Sequence, residues 1–141
     1  MSGEESMKSI QEAVAYAIVL KVDIINISAG GKEFSLAESA IIKKALDSKI
    51  TVVAAAGNNF VNLDKECNFF PACYDERIIV VGNLNKDKSI ADTSNYGNYV
   101  KKWEVGQNVL SDAPNGGEQY KSGTSQAAAI VTGKIVKTLK K

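Results

Sequence analysis

Three short apolar runs, rich in β-branched side chains, alternate along the chain with three longer segments of helical periodicity. Each run is too short for an ordinary helix and ends at glycine or a polar cluster, which is typical of buried strands. In the longer segments, apolar residues recur every three or four positions, as on one face of a helix. The predicted strands are 22–27, 51–56 and 77–81, and the predicted helices are 6–19, 35–47 and 125–139.

The helix at 35–47 has the most explicit local signals. Ser35 and Glu38 have the spacing of a capping box, in which each side chain accepts a hydrogen bond from the other's backbone amide. Its periodicity predicts an inner face made of six apolar residues. These are Leu36, Ala37, Ile41, Ile42, Ala45 and Leu46.

Apolar strands that alternate with helices predict an α/β fold with a parallel sheet covered by helices on both faces. In such sheets, functional groups gather where the strands end at their carboxyl termini. The predicted carboxyl ends carry Ser28-Ala29-Gly30, Gly57-Asn58 and Gly82-Asn83. A candidate site is therefore expected among these three segments.

The composition excludes several classes of function. The formal net charge is +1 and no block of basic residues interrupts the chain, so nucleic acid is not an expected partner. No apolar stretch approaches the roughly 20 residues that span a bilayer, and residues 1–5 are not a secretory signal, so no membrane role is predicted and the cellular location stays undetermined. No glycine-rich phosphate loop follows a strand, which disfavours nucleotide binding.

Cys67 and Cys73, the two cysteines, fall in one loop with Pro71 between them. They can form a small-loop disulfide or remain two reduced thiols, and two ligands are too few for a zinc site.

Ser125 is the first candidate for chemistry. It follows Gly123 at the start of a helix, where the helix dipole and a free backbone amide both favour a developing negative charge. A serine in this setting is a candidate nucleophile. The alternative is an ordinary serine that caps the helix.

Asn58 follows Gly57 at the carboxyl end of a predicted strand, where its amide group can donate a hydrogen bond to the oxygen of a tetrahedral intermediate. The alternative is a turn asparagine after glycine. Ser28, Ala29 and Gly30 form an extended, nearly side-chain-free segment, which can pair with a peptide as an added strand or simply end a strand.

A serine nucleophile normally needs a neighbouring base, and the 141 residues contain no histidine. The sequence therefore predicts half of a catalytic centre.

Four blocks of the sequence, in order and in spacing, resemble the subtilisin-like serine endopeptidases. They are I-I-N-I-S-A-G-G (24–31), V-V-A-A-A-G-N (52–58), F-P-A followed by I-I-V-V-G (70–82), and S-G-T-S-Q-A-A-A-I-V-T-G (122–133). The resemblance covers nearly the whole chain. It implies an incomplete three-layer α/β fold, with residues 1–141 as the C-terminal part of one peptidase domain.

The resemblance implies peptide-bond hydrolysis, with Ser125 as the nucleophile and Asn58 as the oxyanion-hole side chain. The implied substrate-binding residues are Ser28, Ala29, Gly30, Ala55, Ala56, Gly57 and Thr124. Of these, the segment 55–57 corresponds to the edge and floor of the main specificity pocket, where small residues leave room for an apolar side chain. A peptide or protein substrate is the expected partner.

The sequence also departs from the family. Gln126, Ala129 and Ile130 stand where the family usually has Met, Pro and His, and the family's Asp- and His-bearing segments would precede the residues present. We therefore expect the chain to be nearly inactive alone, with an open strand edge at 22–27 that a complementary protease part or self-association covers. The alternative is a non-catalytic peptide-binding remnant. No cofactor is expected; calcium is possible by resemblance, but Asp64 and Glu66 are too few to assign a site.

Overall fold

A four-stranded parallel sheet with helices on both faces forms the centre of the molecule, as predicted. The computed structural model describes residues 3–139, apart from the side chains of Glu4 and Ser6. The helices are α1 (Gly3–Leu20), α2 (Leu36–Asp47) and α3 (Thr124–Val136). The strands are β1 (Ile24–Ile27), β2 (Thr51–Ala55), β3 (Ile79–Leu84), β4 (Lys102–Val105), β5 (Val109–Asp112) and β6 (Glu118–Lys121).

The sheet has the order β1-β2-β3-β4, and each neighbouring pair is parallel. All four carboxyl ends therefore lie at one edge, where β1 leads into Ser28 and β2 into Ala56. On its other side β1 pairs with no strand of residues 3–139. The prediction of an open edge at β1 is thus confirmed for the described chain.

Strand alternation divides the core into two apolar layers because successive side chains point to opposite faces. On one face, Val52, Ala54 and Val80 pack with residues of α1 and α2. On the other face, Val53, Ala55 and Val81 pack against Ala127, Ala128 and Val131 of α3. The helix that begins beside Ser125 is therefore held directly on the sheet.

Two predictions about α2 are wrong. Leu36 and Ala37 are exposed, and the helix buries Glu38 and Ser39 instead. Only half of the capping box forms: the Ser35 hydroxyl accepts the Glu38 amide at 3.2 Å, but the Ser35 amide donates to the Tyr74 hydroxyl at 3.1 Å. The Glu38 side chain is buried and hydrogen-bonds Tyr74, whose hydroxyl takes the Ser35 amide in place of the Glu38 carboxylate.

The prediction that β3 stops at Gly82-Asn83 is also wrong, because the strand continues to Leu84. Gly82 stays in the strand under the Trp103 ring of β4, where a Cβ atom would lie 2.4 Å from the ring. The antiparallel hairpin of β5 and β6 was not predicted, because its strands are mostly exposed and lack apolar alternation. No helix among residues 3–139 has the length and apolarity needed to cross a membrane.

Candidate active site

A cavity of about 360 Å³ opens at the carboxyl edge of the sheet, between the ends of β1 and β2 and the first turn of α3. Its walls are Ser28, Ala29, Gly30, Ala55, Gly57, Asn58, Asn59, Phe69, Thr124 and Ser125. The structure therefore brings together every residue of the predicted site except Ala56.

Ala56 does not reach this cavity. Its side chain is fully buried on the opposite face of the sheet, with Val52 and Ala54, because alternate residues of a strand face opposite ways. The part of Ala56 that serves the site is its carbonyl oxygen, which accepts a hydrogen bond from the Asn95 amide group at 2.8 Å.

Ser125 is the second residue of α3, and its side chain does not cap the helix. The N-cap residue is Gly123, at φ 145°. The Ser125 hydroxyl instead donates to the Ser28 carbonyl oxygen at 2.7 Å, and the Ser28 hydroxyl donates to the Ser125 carbonyl oxygen at 2.9 Å. A neutral backbone carbonyl cannot take up a proton, so this contact positions the hydroxyl without activating it.

Two further side chains extend this connection between β1 and α3. Asn26 donates from Nδ2 to the Ser28 hydroxyl at 2.9 Å, and Thr132 donates to Asn26 Oδ1 at 2.9 Å. The edge strand is thereby tied to the helix that carries Ser125 at two points, about two turns apart.

Asn58 is fixed by the backbone beside Ser125. Its Oδ1 atom accepts the Thr124 amide at 3.0 Å. Because only the oxygen of a carboxamide can accept that bond, the orientation of the side chain is set and its NH₂ group remains a donor. The buried Thr124 hydroxyl accepts the Gly57 amide at 3.2 Å, which joins the end of β2 to the start of α3.

The amide of Ser125 lies in the first turn of α3, so it has no acceptor within the helix. Two donors, this amide and the Asn58 NH₂ group, thus belong to residues that line the same cavity. A pair of donors of this kind can stabilise an oxyanion when both point at the same oxygen.

Asn95 is a site residue that the sequence did not reveal. It is 1% exposed, and its Oδ1 atom accepts the amides of Asn59 at 3.1 Å and Val61 at 2.9 Å. With the bond from Nδ2 to Ala56, three hydrogen bonds hold the backbone on both sides of Asn58. Nothing in the sequence near Asn95 indicates these distant partners.

Phe69 was also missed as a wall of the cavity. Its ring packs so close to Gly30 that a Cβ atom on Gly30 would lie 2.6 Å away. The next residue, Phe70, exchanges two backbone hydrogen bonds with Gly31, at 2.9 and 2.7 Å. Cys67 and Cys73 form a disulfide around this segment, which answers the question that the sequence left open.

A second cavity, of about 300 Å³, shares Ala29 and Gly30 with the first and is lined on its inner side by Glu38. Glu38 is 3% exposed, and its Oε2 atom has no hydrogen-bond partner among the described residues. Burial raises the pKa of the Glu38 carboxyl, and a hydrogen bond with Tyr74 opposes part of that rise.

The loop carboxylates Asp64 and Glu66 accept hydrogen bonds from nearby groups of the protein. Asp64 accepts the amides of Asn98 at 2.7 Å and Tyr99 at 2.8 Å, while Glu66 accepts the Asn68 side chain at 2.7 Å. Within residues 3–139, no group of three or more His, Cys, Asp and Glu side chains is placed to hold a metal ion.

Comparisons of sequence and of structure match this chain to the same group of proteins. The family model described as "Subtilase family" matches residues 1–141. The intracellular serine protease of Paenibacillus polymyxa is 39% identical over 127 residues, which are 89% of this chain and 39% of that protein. Subtilisin DY of Bacillus licheniformis is 33% identical over 140 residues, which are 99% of this chain and 51% of that protein.

Among solved structures, a cold adapted subtilisin-like serine proteinase superposes with a TM-score of 0.81 at 27% identity. The match covers 90% of this chain and 45% of that one. The chain thus spans about half, or less, of the length of the proteins that it resembles.

Proposed function

Because this chain belongs to the subtilase family, we propose that it is the C-terminal part of a serine endopeptidase domain. In this proposal it supplies the nucleophile, the oxyanion hole and the peptide-pairing segment. The observation that carries the proposal is the placement of Ser125, Asn58 and the segment from Ser28 to Gly30 around one cavity. Peptides or proteins are its substrates.

In the proposed reaction, the Ser125 oxygen attacks the scissile carbonyl carbon and the carbonyl oxygen becomes an oxyanion. The oxyanion accepts hydrogen bonds from the Ser125 amide and from the Asn58 NH₂ group. The proton of the Ser125 hydroxyl passes to a base and then to the leaving amine as the peptide C–N bond breaks. Water then hydrolyses the acyl-enzyme.

The base is the missing part, since the sequence has no histidine and no carboxylate among residues 3–139 lines the cavity. We infer that a histidine, with its orienting aspartate, comes from polypeptide outside these 141 residues. In a subtilisin, loss of the base lowers turnover by about a million-fold. The 141 residues alone are therefore expected to have, at best, a small residual activity.

The unpaired edge of β1 supports this proposal of a complement. A strand edge with free amides and carbonyls favours pairing with another strand. Asn26 and Ser28, which position Ser125, lie on or next to this edge. A complementary protease part, or a second copy of the chain, covers the edge in our proposal.

A fluorophosphonate probe tests the proposal, because it reacts with an activated serine. We expect Ser125 to be labelled when a polypeptide with the Asp- and His-bearing segments of a subtilase is added, and the lone chain to be labelled far more slowly. Ser125→Ala is the control. Equal labelling rates with and without the complement would contradict the missing base.

A second candidate function is peptide binding without chemistry. The observation that favours it is the hydrogen bond from the Ser125 hydroxyl to the neutral Ser28 carbonyl, which leaves the hydroxyl unactivated. In that case, labelled peptides bind the chain with the same affinity after Ser125→Ala, and no complement produces probe labelling. Labelling that depends on the complement excludes this candidate.

A further inference from the structure

The ring of Phe69 lies between two glycines that border the active-site cavity. A Cβ atom on Gly30 would lie 2.6 Å from Cε1 and 2.7 Å from Cζ of this ring, and a Cβ atom on Gly57 would lie 3.0 Å from Cδ1 and from Cδ2. The tip of the ring thus faces Gly30 and its base faces Gly57. The space that glycine leaves at these two positions is therefore taken by a side chain of the protein itself.

This arrangement changes the expectation from the sequence, in which small residues at 55–57 leave room for an apolar side chain of the substrate. In the proposed reaction, a peptide pairs with residues 28–30 and its scissile carbonyl lies at Ser125. The side chain before the scissile bond then enters the gap between residues 28–30 and residues 55–57. Phe69 already lies in that gap, and it is also a wall of the cavity that contains Ser125.

The backbone on both sides of Phe69 is held in place. Phe70 exchanges two backbone hydrogen bonds with Gly31, at 2.9 and 2.7 Å, and the Cys73 amide donates to the Phe69 carbonyl oxygen at 2.9 Å. The disulfide between Cys67 and Cys73 closes the segment that contains the ring. Phe69 therefore belongs to a cross-linked segment that keeps its backbone beside the gap.

We propose that Phe69 is a specificity-determining residue of this site, and that it restricts the residue before the scissile bond to glycine, alanine or serine. A larger side chain has to displace the ring, which then gives up its packing against Gly30 and Gly57. A small side chain leaves the ring in place. This inference rests on the proposed peptidase function, and it replaces the larger apolar side chain that the sequence led us to expect.

Peptide p-nitroanilides that differ only in the residue before the scissile bond test the proposal in the complemented enzyme. We compare alanine with leucine and phenylalanine at that position. We expect kcat/KM for the alanine substrate to exceed kcat/KM for either of the others by about tenfold or more, because one misfitted group in a pocket has an effect of this order.

Phe69→Ala is the decisive variant, because it opens the gap and keeps the backbone contacts of the segment. We expect kcat/KM for the phenylalanine substrate to rise by about tenfold or more, while the value for the alanine substrate stays nearly constant. Phe69→Leu should shift the preference in the same direction by a smaller factor. It carries the test if thermal unfolding shows that Phe69→Ala is not folded.

Phe34→Ala is the matched control. It also removes an aromatic ring, one that packs against Phe70 with 5.4 Å between ring centroids but does not line the cavity. It should therefore leave the preference for alanine unchanged. An equal shift in Phe34→Ala and Phe69→Ala would assign the preference to the packing of the whole segment and overturn the role of Phe69.

Two further results overturn the inference. They are a wild-type preference for leucine or phenylalanine over alanine, and a preference that neither Phe69 variant alters. Absence of fluorophosphonate labelling of Ser125 in the complemented protein overturns the proposed function and this inference with it. Hydrolysis of all three substrates at similar rates overturns the role of Phe69 alone.

Discussion

The side chains of Ser28 and Ser125 each donate to the other's backbone carbonyl, at 2.9 and 2.7 Å. The two residues are 97 positions apart in the chain. One pair of hydrogen bonds thus joins the segment proposed to bind substrate to the residue proposed to attack it. The position of the nucleophile therefore depends on the end of an edge strand.

Asn58→Ala removes the side-chain donor of the proposed oxyanion hole. In a subtilisin, loss of the equivalent kind of donor lowers kcat by about 10²–10³-fold. We expect a loss of this order in the complemented enzyme, with little change in KM, because the donor acts mainly in the transition state. Steady-state kinetics on a peptide substrate would check this. A rise in KM at constant kcat would instead assign Asn58 to ground-state binding.

Asn95→Ala should destabilise the fold and loosen the cavity. It leaves the amides of Asn59 and Val61 and the carbonyl of Ala56 without their partner. We expect a loss of about 2–4 kcal/mol in the free energy of unfolding, measured by urea denaturation. Asn98→Ala, at an exposed position, is the control and should change stability by less than about 0.5 kcal/mol. Similar losses for both variants would refute the role of Asn95.

Gly57→Ala should be much more damaging than Gly116→Ala. Both glycines have positive φ, +98° and +85°, so both variants place alanine in a left-handed conformation at about 1 kcal/mol. Only at Gly57 would the new Cβ atom meet a neighbour, Asn95 Nδ2 at 2.5 Å, while Gly116 faces open space. We expect Gly57→Ala to lower the free energy of unfolding by about 3 kcal/mol in total, measured by thermal or urea unfolding. Equal losses in the free energy of unfolding for the two variants would show that the contact between the new Cβ atom and Asn95 is relieved without cost.

Glu38→Gln should change the pH dependence of stability. Burial raises the pKa of the Glu38 carboxyl above its ordinary value of 4.5, so the folded protein holds this proton to higher pH than the unfolded chain does. The protonated group therefore favours folding below pH 4.5, and that contribution is lost as the pH rises through the folded-state pKa. We expect the variant to gain stability relative to the wild type between acid and neutral pH. Denaturation at pH 3 and pH 7 tests this, and a difference independent of pH would contradict it.

Much of the fold could be predicted because its signals are local. The predicted strands at 22–27 and 51–56 contain β1 and β2, and the predicted helix at 125–139 begins within one residue of the start of α3. The end of β3 could not be predicted, since Gly82 remains in the strand through its contact with Trp103 of another strand. Leu36 was wrongly predicted to be buried for a related reason, because packing against distant parts of the chain buries Glu38 instead.

The same distinction between local signals and long-range contacts applies to the residues of the candidate site. Ser125 and Asn58 were recognisable because each stands in a characteristic sequence block, and the fold brings both to one cavity. Asn95 and Phe69 were not recognisable. Their contribution comes from hydrogen bonds or packing across long sequence separations, which no short pattern encodes.

The edge of β1 that is unpaired among residues 3–139 runs without interruption into the residues proposed to bind the substrate. A strand that pairs with Ile24–Ile27 would restrict the backbone leading into Ser28, so a peptide would then lose less conformational entropy on binding there. Linkage makes the effect reciprocal: the factor by which such a strand tightens peptide binding is the factor by which the peptide tightens the strand. Assembly and substrate capture would thus form one cooperative equilibrium, in which the substrate itself promotes completion of the enzyme.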